Sequence, residues 1–94
     1  MELLEQYYKG EESWIDYSSI FGDDWTDSNT QLQLLNICNG KIDLAKVINY
    51  HLGEQSIKWM SSNIPDLDNL APIECLEDDK LINRLKVYLI RFPS

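Results

Sequence analysis

Residues 57–92, IKWMSSNIPDLDNLAPIECLEDDKLINRLKVYLIRF, constrain the fold of this chain more than any other stretch. Apolar residues recur three and four apart at both ends, and the middle is broken by Asn63, Pro65, Asp68, Asn69 and Pro72. Spacing of three and four lines up one face of a helix, and a proline pushes the residue before it out of the helical region. The stretch therefore reads as a helix supplied by Ile57, Trp59, Met60 and Ile64 that ends at Asn63 and Pro65. A turn anchored by Leu67 and Leu70 follows, then a short helix opened by Pro72 at its first turn. Asp68 and Asn69 are the turn residues expected to take a left-handed backbone. The closing helix has Leu81, Leu85, Tyr88 and Phe92, with Ile82 and Leu89 alongside, as a broad apolar face. Lys80, Arg84, Lys86 and Arg91 are expected elsewhere on it, and Pro93 ends it. Asp78 or Asp79 is expected to cap its start, where carboxylates also complement the helix dipole.

The same grammar runs through the rest of the chain. Leu3, Leu4, Tyr7 and Tyr8 share a face of a short helix over 2–9, with Gly10 as its stop. Trp14, Tyr17, Ile20 and Phe21 follow at helical spacing. They read either as an aromatic stripe docked on a core or as an exposed contact surface, since Trp and Tyr ringed by acids are what a binder presents. Residues 22–29, GDDWTDSN, form a loop that Trp25 anchors, with Asp27, Ser28 or Asn29 capping the next helix. This is not a calcium loop: counted from Asp23, the sixth and twelfth positions hold Ser28 and Leu34 where glycine and glutamate are needed. In the following helix Leu32 and Leu35 are expected inward, with Leu34 and Cys38 as further candidates, before Asn39-Gly40. Asp43 is expected to cap a second helix whose stripe is Leu44, Val47, Ile48 and Leu52 and whose end is Gly53. No segment alternates in polarity. The expected fold is all-α, a compact small domain of five or six short helices with a long amphipathic C-terminal helix. It makes one domain over 1–94, with an acidic aromatic part at 1–28, a helical pair at 29–56 and a module at 57–94.

Charge narrows the partners. The formal net charge is −8, and Glu2, Glu5, Glu11, Glu12, Asp16, Asp23, Asp24 and Asp27 stand against Lys9 alone in residues 1–28. Such a field repels phosphate. The pair of helices around Asn39-Gly40 has the outline of a helix-turn-helix, but the second offers Lys46 as its one base, so nucleic acid is not expected as a partner. No stretch approaches the roughly 20 apolar residues of a membrane span. The N-terminal MELLEQYYKG is acidic and is not read as a signal peptide, and the cytoplasm is the expected compartment. Cys38 and Cys75 sit among apolar residues, as buried thiols do. With one histidine and no paired cysteines, neither a metal site nor a cofactor is expected. His51, near a helix C-terminus, is expected to be structural or on the surface, and no arrangement around it resembles a catalytic triad. Adjacent carboxylates such as Asp23-Asp24 or Glu77 to Asp79 point in different directions along the chain, and an enzyme is not expected.

Residues 57–92 resemble the toxin-binding domain of the Xre/MbcA/ParS antitoxin family. The resemblance lies in the order of Ile57 and Trp59, Asn63 and Pro65, Leu67 and Leu70, Pro72-Ile73 with Leu76, and the helix from Leu81 to Phe92. It implies an antitoxin, not itself an enzyme, that occludes the nucleotide pocket of a RES-domain toxin acting on NAD, in a hetero-oligomeric complex. The family loop usually carries a glycine pair where this chain has Asp68-Asn69, which can stand in at some conformational cost. The acidic N-terminal part does not resemble the DNA-binding half many members carry.

Two functions are therefore expected. One is neutralisation of a cognate toxin through the 57–94 module. The other is an acidic immunity or inhibitor protein that covers a cationic active site, such as that of a nuclease, on a basic protein. The candidate contacts are Asp66, Asp68 and Asn69 in the turn, since loops carry function, and Trp59, which reads as core anchor or interface residue. Glu11, Glu12, Trp14, Asp16, Asp23 and Asp24 are the candidates for a charge-led contact.

Overall fold

Helix α3 (Ile42–Leu52) is the element on which the others pack. Its apolar residues recur at helical spacing, Leu44, Ala45, Val47 and Ile48 are fully buried, and all four other α-helices touch it. The computed structural model describes residues 7–92, with the backbone alone at 22–24. Of the helix expected over 2–9, residues 2–6 lie outside the described residues. The remaining helices are α1 (Glu11–Ser18), α2 (Asn29–Ile37), α4 (Ser56–Met60) and α5 (Asp79–Ile90). Short 3-10 turns at Ser19–Asp24, Gly53–Gln55, Pro65–Leu67 and Pro72–Glu77 join them. The described residues contain no strand beyond a single antiparallel bridge between Ile64 and Leu70, so the fold is all-α. Helix α5 has 12 residues against 11 in α3, an ordinary length for a closing helix.

Local chemistry sets most of the boundaries. Ser28 caps α2: its hydroxyl accepts the Gln31 N–H at 3.2 Å, and the Gln31 side-chain oxygen accepts the Ser28 N–H at 3.1 Å. The reciprocal pair satisfies two backbone donors that the helix start leaves over. Helix α2 ends with Asn39 and Gly40 at φ 58 and 80. The Gly40 N–H donates to Leu35 O at 2.9 Å and the Asn39 N–H to Asn36 O at 3.0 Å, a Schellman closure. Asp78 caps α5, its carboxylate accepting the N–H groups of Lys80 at 2.8 Å and Leu81 at 3.3 Å.

Three expectations are corrected. In α2 the inward line is Gln31, Leu34 and Cys38, while Leu35 is partly buried and Leu32 is 47% exposed. The capping box turns Gln31 toward the body, and steps of three and four from there reach Leu34 and Cys38 rather than Leu32. Asp43 does not cap α3, where Lys41 holds the cap position. Its carboxylate instead accepts the indole N–H of buried Trp14 at 2.6 Å. Arg84 and Lys86, expected on the outside of α5, are both buried.

One core unites these elements. Trp14, Phe21, Leu34, Leu44, Ile48, Met60, Leu67, Leu85 and Leu89 belong to it, with Trp25 packed at its edge. Cys38 and Cys75 are free thiols inside it, and burial pushes them up to about 12 and about 11.

Candidate functional site

The turn after α4 is tied from within. The Ile64 N–H donates to Leu70 O at 3.0 Å, and Ile64 O accepts from Leu67 at 2.9 Å and Asn69 at 3.0 Å. Pro65 opens the 3-10 segment and Leu67 plugs the core beneath it. With both strands of the turn pinned, the chain reverses through Asp68 (φ 61) and Asn69 (φ 63), and the side chains of Asp66, Asp68 and Asn69 are exposed. Asp and Asn take this left-handed region more readily than other non-glycine residues.

Three rings flank the turn. Trp59 is half-buried, its ring 6.3 Å from that of Tyr88 and nearly parallel, at 19°. Phe92 meets both rings edge-on, at 6.5 Å from Trp59 and 5.7 Å from Tyr88. Burial, and after it the charge of Asp66, raises the Tyr88 hydroxyl above its ordinary value. Asp66 thus acts on the ring that Trp59 stacks against, and the Trp59 side chain is partly core and partly surface.

The acids of α1 divide. Glu12 and Asp16, one helical turn apart, are exposed. Glu11 instead binds the Lys86 ammonium at 2.7 Å and accepts the Tyr8 hydroxyl, and these two hydrogen bonds hold its carboxyl below the usual carboxylate range. The Lys86 ammonium lies 5.6 Å over the Tyr8 ring and 5.4 Å over that of Trp14. Trp14 is fully buried, so its ring belongs to the scaffold behind this face rather than to the face itself. The side chains of Asp23 and Asp24 lie outside the described ones. Lys86 was missed because a lysine on an amphipathic helix reads as a surface base. The signal was its spacing: Ile82, Lys86 and Leu89 fall four and three apart on one line.

A belt of rings runs from α1 across to the turn. Trp14 to Tyr17 is 5.9 Å, Tyr17 to Phe21 5.0 Å, Phe21 to His51 5.7 Å and His51 to Phe92 4.9 Å. At its centre the Tyr17 hydroxyl donates to Leu89 O at 3.1 Å, and its oxygen lies 3.1 Å from His51 Nε2. A hydroxyl has one proton to give, so His51 Nε2 is the donor in the second contact. Burial lowers the His51 pKa, favouring the neutral ring. His51 is thus a joint between α1, α3 and α5, as a structural histidine should be.

Among the described residues no helix is long and apolar enough to cross a membrane, and no group of three or more His, Cys, Asp or Glu side chains is placed to hold a metal ion. Comparison of the chain with protein-family models, with curated proteins and with solved structures finds no match.

Proposed function

We propose that this chain is a non-enzymatic, antitoxin-like protein that binds and neutralises a cognate toxin through the turn at 63–71 and the adjoining Trp59, Tyr88 and Phe92. The observation that carries this reading is the left-handed pair Asp68-Asn69. The family that residues 57–92 resemble usually sets two glycines there, and glycine is the residue most at ease at positive φ. Here two non-glycine residues adopt that conformation, and their side chains are left exposed for contact. The turn is held at its base by Leu67 and by backbone hydrogen bonds, so little order is lost when a partner docks. Half-buried Trp and Tyr rings beside exposed polar groups have the composition of an interface hot spot. By the same resemblance the toxin carries a RES domain and consumes NAD.

The second reading, an acidic immunity or inhibitor protein on a basic enzyme, is favoured by the exposed pair Glu12 and Asp16. The two separate in salt, because charge-led association loses on-rate with ionic strength and an apolar contact does not. The tagged chain is captured from its host at low and high salt, and NAD consumption by the bound fraction is measured. The expected outcome is an NAD-consuming partner that survives high salt and is released by Trp59→Ala or Asp68→Lys. A basic partner that elutes with salt and responds to Glu12→Lys instead would replace this reading with the second.

A further inference from the structure

A cavity of about 640 Å³ opens between residues 7–10, α1 and the end of α5, apart from the turn at 63–71. Tyr8, Trp14 and Tyr17 give it aromatic walls, Ile90 an aliphatic one, and Lys9 and Arg91 bring two cations to it. No carboxylate is among its described lining residues. In a chain of net charge −8, the described lining is therefore cationic. Its causes are visible. The helical repeat puts Ser13, Trp14 and Tyr17 on the cavity side of α1, while Glu12 and Asp16 leave on another face. Glu11, on the same helix, is bound to Lys86. The Arg91 guanidinium lies 4.5 Å over the Tyr7 ring, and stacking of this kind fixes its plane while its N–H edge remains able to grip an oxyanion.

The geometry points to a binding site for a small planar anion, an aromatic ring system bearing one carboxylate, sulfonate or phosphate group. The rings of Tyr8 and Tyr17 receive the flat apolar part, with Trp14 buried behind them, and Arg91 with Lys9 receives the charge. The volume falls within the roughly 300–1,000 Å³ of ligand pockets. Nothing in this assignment depends on the toxin-binding reading.

The test uses the full chain and two fluorescent probes with the same rings, 8-anilinonaphthalene-1-sulfonate and uncharged N-phenyl-1-naphthylamine. The folded chain is expected to bind the sulfonate saturably at one site. Lys9→Gln with Arg91→Gln is expected to weaken the sulfonate about ten-fold, as loss of charge-assisted hydrogen bonds does, and to leave the uncharged probe unchanged. Ile90→Trp, which narrows the cavity, weakens both, and Asp68→Lys weakens neither. Circular dichroism checks that each variant is folded. If the double variant is not, Lys9→Gln alone, at an exposed side chain, decides between the same outcomes. Absence of saturable sulfonate binding, or sulfonate binding indifferent to the loss of the bases, overturns the assignment.

Discussion

The two ends of the Lys86–Glu11 pair are unequally wet: the lysine side chain is 8% exposed and the glutamate 63%. Removing the glutamate strands a largely buried ammonium, so Glu11→Ala is expected to cost about 1–3 kcal/mol. Lys86→Met keeps the packing on Tyr8 and Trp14 and returns Glu11 to water, with a cost below about 1 kcal/mol. Urea unfolding of the two variants measures the difference, and the reverse order would mean that the ammonium reaches solvent. The same residues set the response to pH. Glu11 titrates below its ordinary 4.5 in the folded chain, so its contribution is present above that value and is lost as pH falls through the lower folded one. His51 is also lowered, from 6.5, by burial, which disfavours the charged ring. Its contribution is present above 6.5 and is lost as pH falls from there through its folded value. Stability measured against pH should therefore drop in two separate windows. His51→Gln should flatten the upper one and Glu11→Gln the lower, and a single window that ignores His51→Gln would count against the Tyr17–His51–Leu89 joint.

At the scale of elements, the turn at 63–71 is held at its base by backbone hydrogen bonds and by buried Leu67, so its tip has little freedom to relax a substitution. Asn69→Gly is expected to leave stability equal or raise it by up to about 1 kcal/mol. Asn69→Val is expected to lower it by about 1–2 kcal/mol, because a β-branched residue meets the full left-handed penalty. Thermal unfolding separates the two, and equal effects would mean the turn refolds around the new residue. Such elements were legible in the sequence because their chemistry is complete within a few residues: Asp68-Asn69, the Asn39-Gly40 closure and the Asp78 cap each depend on neighbours two to five positions away. Asp43 and Lys86 were not, because their partners, Trp14 and Glu11, stand 29 and 75 positions away. A side chain whose partner is that remote looks, in the sequence, like an ordinary cap or an ordinary surface base. Leu32 and Leu34 fall between these cases. Both fit a helical stripe, and only the rotation fixed by Gln31 chose between them.

Across the whole molecule, the all-α class could be read from periodicity alone, while the packing order around α3 could not, since α1, α2, α4 and α5 carry apolar faces of similar kind. That packing closes one core around both thiols. Cys38 and Cys75, buried and held at about 12 and about 11, are expected to resist iodoacetamide in the folded chain at pH 8 and to become reactive together as urea unfolds it. Labelling of one well before the other would divide the core into two cooperative units.

Two of the eight bases, Arg84 and Lys86, are inside. With a formal net charge of −8 the molecule is not balanced by water alone: a sheath of sodium or potassium ions must gather at its surface. Any cationic surface that settles on the chain sends part of that sheath back into bulk solution. The entropy of those freed ions then belongs to the complex, and a cell that changes its potassium level changes how tightly the two hold.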